Sequence, residues 1–246
     1  MLDIRANLGR VQEAVARACA RAGRSPDHVL LIAVSKTVEA ERIRLAVAAG
    51  VAALGENRVQ EARDKIGTLG RPVPWHLIGS LQTNKARDAA RLFDWIHSVD
   101  RLELAQELSR RAHGGERVLN VLLQVNLGDE PQKGGAAPAD LKGLCDAVSG
   151  LPGLRVRGLM AIPPVAESPE ATRPYFRRLR ELRDQLGLEH CSMGMSADFE
   201  AAIEEGATMV RVGTAIFGPR SPRPSTLSSQ GRGKRERPEG EGENTR

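Results

Sequence analysis

The stretch His28-Val-Leu-Leu-Ile-Ala-Val34 is almost wholly apolar, and the polar residues Ser35-Lys36-Thr37 close it. A strand with one wet face alternates polar and apolar side chains. One without alternation is covered on both faces, as in a parallel sheet flanked by helices. Working outward, the same unit recurs. Before the run, Leu2 to Ala22 carries apolar Leu2, Leu8, Val11 and Val15 at helical spacing, with Arg and Glu between them. After it, short apolar runs follow at Ala52–Leu54, Trp75–Gly79, Trp95–Val99, Val118–Asn126, Val156–Ile162, Cys191–Met195 and Met209–Val212. Helix-like segments near 39–49, 57–67, 82–92, 101–113, 139–149, 170–186 and 198–205 separate them. Eight strands alternating with helices predict an α/β fold with helical crossovers. Eight such units in about 220 residues suit a single (β/α)8 TIM barrel. An open doubly wound sheet is the alternative, but no G-x-G-x-x-G follows the first strand.

Composition sets the outer bounds. The 246 residues are 41% hydrophobic and 27% charged, an ordinary globular balance. No window approaches the roughly 18 apolar residues of a membrane helix, and with Asp3, Arg5, Arg10 and Glu13 in the first turns no apolar leader is expected. The three cysteines, Cys19, Cys145 and Cys191, lie far apart and suit a reducing cytoplasm. Of the net charge of +5, residues 220–246 carry +3, so the barrel region is nearly balanced. With only 3% aromatic residues there is no stacking platform for single strands, and no nucleic-acid partner is expected. The residues divide into a barrel domain, 1–218, and a basic tail, 219–246, rich in Pro, Ser, Gly and charge and expected to be disordered.

In such a barrel the chemistry gathers at the carboxyl ends of the strands. There the sequence places Ser35-Lys36-Thr37, Gly55-Glu56-Asn57-Arg58, His97-Ser98-Val99-Asp100, Met195-Ser196 and Arg211-Val212-Gly213-Thr214. A lysine that ends an apolar strand reaches into the barrel mouth. There it is either a nucleophile toward a carbonyl or a side chain snorkelling to solvent. Gly213-Thr214 offers backbone N–H groups at the start of a short helix near Ala215–Phe217. Ser196 offers a hydroxyl and is expected to cap a helix beginning near Ala197-Asp198. Lys36 with Ser196 and Gly213-Thr214 implies a ligand carrying a carbonyl and a phosphate. No histidine pair has metal-ligand spacing on a helix, and no metal is expected. His76 and His97 read as buried, hydrogen-bonded core residues, and Cys191 as a small buried apolar residue.

The segments Ala33-Val-Ser-Lys-Thr37, Gly55-Glu-Asn-Arg-Val-Gln-Glu61, Trp75-His-Leu-Ile-Gly-Ser-Leu-Gln-Thr-Asn-Lys85 and Gly158-Leu-Met-Ala161 carry a resemblance. So do Ser192-Met-Gly-Met-Ser-Ala-Asp-Phe199 and Val210-Arg-Val-Gly-Thr-Ala-Ile-Phe-Gly218. Residues 2–218 resemble the pyridoxal phosphate homeostasis proteins, the family called YggS or PROSC. That family is similar to the fold type III barrel of alanine racemase. One departure is Gly79-Ser80, where many members have Gly-Pro.

The resemblance implies pyridoxal 5′-phosphate (PLP) as cofactor, bound as an aldimine of Lys36. It implies Ser196, Gly213 and Thr214 as phosphate ligands, and Arg211 facing the pyridine nitrogen. Asn57 would lie beside the ring and Met195 near the phosphate end. The implied role is PLP homeostasis, buffering the cofactor or delivering it to apo PLP-dependent enzymes, as a monomer or weak dimer. The alternative is a small PLP-dependent racemase or lyase. Racemisation needs a base on each face of the substrate carbon. In the racemases a tyrosine from a separate C-terminal β-domain supplies the second, and that domain is expected to be missing here. The sole tyrosine, Tyr175, falls on a predicted outer helix. A third reading, a module whose basic tail docks nucleic acid or protein, rests on residues 219–246.

Overall fold

The structure is a computed structural model that describes residues 3–112, 118–128, 130 and 134–219. Apart from Pro219, the expected basic tail lies outside the described residues. Eight strands alternate with helices: α1 (Ile4–Arg21), β1 (Leu30–Val34), α2 (Ala40–Ala48), β2 (Ala53–Glu56), α3 (Val59–Leu69), β3 (Trp75–Leu77), α4 (Ala86–Leu92) and β4 (Trp95–Val99). Then follow α5 (Leu102–Ala112), β5 (Leu119–Gln124), α6 (Leu141–Ser149), β6 (Leu154–Met160), α7 (Arg173–Gln185), β7 (His190–Met195), α8 (Phe199–Glu204), β8 (Met209–Val212) and a short α9 (Thr214–Phe217). The strands form a closed barrel in sequence order. It closes by parallel pairing of β1 with β8, Leu30 against Met209 through Ala33 against Val212.

Strand periodicity sorts the side chains into two cores. Ile32, Ala53, Leu122, Met160 and Met209 fill the barrel interior, with Leu30 and Trp95 packed against them. Their sequence neighbours, such as Ala33, Leu54, Leu123, Leu159 and Val210, face the helices and join the larger outer core. Both faces are therefore covered, which is why β1 shows no polar alternation. Helix α1 begins where Asp3 Oδ1 accepts the Ala6 N–H at 3.0 Å. It lays Leu8, Val11 and Val15 into the outer core, packing on α8 and α9. Buried Asn7 fastens it further by donating from Nδ2 to the Ile216 carbonyl at 2.9 Å. This fixes the short helix that follows β8, beside the barrel mouth.

Three strands end earlier than their apolar runs, β5 among them, at Gln124 rather than Asn126. β3 stops at Leu77 rather than Gly79, and Gly79 packs closely on the backbone of Asn57. β6 stops at Met160, shortly before Pro163-Pro164, which cannot continue a ladder.

Candidate functional site

Alternation along β1 decides where its carboxyl end points. Ile32 faces the barrel interior, and Lys36, four residues on, lines a cavity at the mouth; Ser35 between them is fully buried on the helix side. The cavity has a volume of about 340 Å³. All seven residues singled out in the sequence, Lys36, Asn57, Met195, Ser196, Arg211, Gly213 and Thr214, line it. Val34, Ile78, Ile162 and Phe217 give it apolar walls. It falls in the range of roughly 300–1,000 Å³ usual for small-ligand sites.

Arg211 is buried at 4% exposure and projects from β8. Its Nη1 donates to Ser192 Oγ at 2.7 Å and its Nη2 to the Ala161 carbonyl at 3.0 Å. Burial lowers its pKa to about 10, against the pull of Asp198, so it stays cationic at neutral pH. Behind it runs a buried polar chain. His97 Nδ1 lies 2.9 Å from Ser192 Oγ, and His97 Nε2 lies 2.9 Å from His76 Nδ1. Burial holds both histidines neutral, pushing His76 down to about 3 and His97 well below its ordinary value, with the Arg211 charge adding to the latter. A guanidinium only donates, so Ser192 accepts from it and its own proton is available to His97 Nδ1. We assign the chain a single direction, Arg211 to Ser192 to His97 to His76.

The expected anion cradle comes together, with one correction. Ser196 does not cap a helix: α8 starts at Phe199 with Asp198 in the cap position. The Ser196 hydroxyl instead accepts the Gly213 N–H at 3.3 Å, bridging the β7 and β8 loops. Asp198 closes the turn, its Oδ1 accepting the Met195 N–H at 2.7 Å. A carboxylate needed for that turn leaves the hydroxyl to face the cavity. A Cβ at Gly213 would stand 3.3 Å from both Val34 Cβ and the Val34 carbonyl, so glycine permits close packing of this loop on β1.

Asn57 is held more tightly still. A Cβ at Gly79 would lie 2.4 Å from the Asn57 carbonyl oxygen, so Gly79 is what allows Asn57 its place. Among the described residues, Asn57 Oδ1 is buried without a hydrogen-bond partner. An orphaned acceptor in a cavity wall calls for a ligand donor or an ordered water.

Two groups of residues escaped the sequence reading. Arg42 of α2 lines the cavity and donates from Nη2 to the Phe217 carbonyl, holding α9 in place. Glu56, Glu61 and Lys65 form an ionic cluster between the barrel wall and α3. Lys65 Nζ donates to Ser35 O at 2.5 Å, Glu56 Oε1 at 2.7 Å and Glu61 Oε1 at 2.7 Å. The signal was present: Glu56 ends an apolar strand, and Lys65 and Glu61 stand one turn apart on the next helix. Cys191 is fully buried in the outer core. Tyr175 sits on α7 and is not among the residues lining the cavity. Among the described residues no helix is long and apolar enough to cross a membrane.

A donor set of one amine, one buried cation, a hydroxyl and a glycine-backed loop suits a phosphorylated aldehyde of modest size, and comparisons with known proteins agree. Residues 6–221 match the family model described as alanine racemase, N-terminal domain. The pyridoxal phosphate homeostasis protein of Pseudomonas aeruginosa is 51% identical over 223 residues, covering 89% of this chain and 97% of that protein. That of Aquifex aeolicus is 50% identical over 220 residues, covering 87% and 96%. The structure of PipY from Synechococcus elongatus with PLP bound superposes with a TM-score of 0.74 at 42% identity, covering 83% of this chain and all of that one. With the barrel, the cavity and these likenesses in hand, the chain belongs to the alanine racemase N-terminal domain family and, within it, to the pyridoxal phosphate homeostasis proteins.

Proposed function

We propose that the chain binds PLP in the barrel-mouth cavity and serves cytoplasmic PLP homeostasis, storing the cofactor and releasing it to apo PLP-dependent enzymes. The observation that carries this is the meeting of Lys36, Arg211 and the Ser196–Gly213–Thr214 loops in one cavity of about 340 Å³. Bound there, PLP supplies an electrophilic aldehyde carbon, an aromatic ring and a phosphate. Lys36 Nζ is the amine for that carbon. Ser196 and the backbone N–H groups that open α9 at Thr214, on the loop backed by Gly213, hold the phosphate, with Met195 beside it. Asn57 meets the ring edge with its unpartnered oxygen. Arg211, cationic at neutral pH, opposes protonation of a pyridine nitrogen set against it, which suits holding the cofactor better than using it as an electron sink. Tyr175 on outer α7 does not supply a base at the mouth, so reversible capture, as a monomer or weak dimer, is the reading we adopt.

Titration with PLP, followed by absorption, tests it. Wild type is expected to show a saturable new band that Lys36→Ala lacks, and loaded wild type should restore an apo PLP-dependent enzyme faster than buffer does. No band in wild type would overturn the reading. Exchange of an amino-acid α-proton above the free-cofactor rate, lost in Lys36→Ala, would replace storage with catalysis.

A further inference from the structure

Lys36 lies between two peptide groups that are each gripped from the helix side of the barrel wall. On one side, Lys65 Nζ donates to the Ser35 carbonyl at 2.5 Å, while Ser35 Oγ donates to Glu56 Oε1 at 2.6 Å. On the other, the Thr37 N–H donates to Glu61 Oε1. One ammonium joins the two halves, because Lys65 also donates to both carboxylates at 2.7 Å. Its three N–H groups meet three acceptors, which leaves Lys65 saturated as a donor. The cluster is enclosed: Glu56 is fully buried and the Lys65 side chain is 11% exposed.

The backbone between these anchors is unusual. Thr37 has φ of 62°, the left-handed region that a β-branched residue avoids. Such a conformation persists only where its surroundings dictate it. Here the Glu61 carboxylate takes the Thr37 N–H, and the turn closes with Val38 N–H on the Ser35 carbonyl at 2.9 Å.

We propose that Glu61, Lys65 and Glu56 form a charge clamp on the two peptide groups flanking Lys36, and that this clamp presents the Lys36 amine to the ligand's aldehyde. The inference rests on the PLP reading above and adds positioning residues to it; none of the three lines the cavity. The step served is capture of the aldehyde. The amine forms a carbon–nitrogen bond, the carbonyl oxygen leaves as water, and no oxidant or reductant is needed. The clamp acts through the backbone of Lys36, so it governs capture and not the hold on phosphate, which Ser196 and the Gly213 loop supply.

That division gives the test. PLP is compared with 4-deoxypyridoxine 5′-phosphate, which keeps the ring and phosphate but has no aldehyde. Glu61 is the handle, since its side chain is 26% exposed and its removal is less disruptive than that of Glu56. Glu61→Ala is expected to slow PLP capture about tenfold or more, while affinity for the deoxy analogue stays within about twofold of wild type. Glu61→Gln, which retains an acceptor for Thr37 N–H, is expected to recover most of the rate. Lys65→Arg, which keeps the charge, is expected to fall between. Undiminished capture in Glu61→Ala would overturn the clamp, and so would equal losses for PLP and the analogue. Failure of the PLP reading looks different, because wild type itself would then capture no PLP.

Discussion

Single residues carry the functional argument, and two of them make it measurable. In Gly79→Ala the new Cβ would lie 2.4 Å from the Asn57 carbonyl oxygen, so Asn57 must shift. The expected result is a PLP affinity lower by about tenfold and a stability loss of about 1–3 kcal/mol, read by absorption titration and urea unfolding. In Arg211→Met the Ala161 carbonyl and Ser192 lose a buried donor. About 1–3 kcal/mol of stability should go with it, and a change below about 0.5 kcal/mol would contradict the buried polar chain. Lys36, Ser196 and Gly213 were legible in the sequence because they follow apolar strands at the carboxyl end of a barrel, where a site forms, although Ser35 and Glu56 at the same ends turn to the helix side. The Glu61–Lys65 clamp was not. Its partners come from a strand end, a loop and a helix, and spacing alone does not show which face of α3 meets the sheet. The role of Ser196 was misread for a related reason: Asp198 two residues on competes for the cap, and only the turn geometry decides between them.

Among elements, the strands and helices followed the apolar pattern closely, since a buried parallel strand and an amphipathic helix have different periods. Ends were less legible, because an apolar run can continue past the last paired residue, as β6 does before Pro163-Pro164. β6 and β7 show how tightly neighbouring strands are matched. Gly158 pairs with His190, and a Cβ there would lie 2.1 Å from the His190 carbonyl oxygen. Gly158→Ala is therefore expected to destabilise by about 1–3 kcal/mol in urea unfolding, or to force the two strands apart. Gly143 in α6 is the contrasting position, with open space around its Cβ site. Gly143→Ala is expected to stabilise by about 0.4–1 kcal/mol, through helix propensity and a less flexible unfolded chain. Reversal of that order would mean that the strand pairing or the exposure of α6 has been misassigned.

At the scale of the whole molecule, a barrel that stores a polar chain in its interior inherits a pH dependence. Both His76 and His97 have pKa values below their ordinary value, His76 at about 3. Above about pH 6.5 each is neutral folded or unfolded and contributes no pH dependence. As pH falls below that, the unfolded chain takes up protons that the folded barrel refuses, and stability drops until the folded pKa is reached. Each histidine accounts for about 1.4 kcal/mol per pH unit in that window. His97→Gln is expected to lose less stability than wild type between pH 7 and pH 5, by roughly 2 kcal/mol in urea unfolding. Equal losses would show that His97 titrates normally in the folded state.

The proposed function rests on one claim, that Lys36 takes up the aldehyde of PLP. The most direct measurement is to load the protein with PLP, reduce with borohydride and map the modified peptide by mass spectrometry. The label is expected on Lys36 alone, with Lys65 unmodified because its three donors are engaged. A label spread over surface lysines, or carried by Lys65 or Lys85 in place of Lys36, would contradict the account.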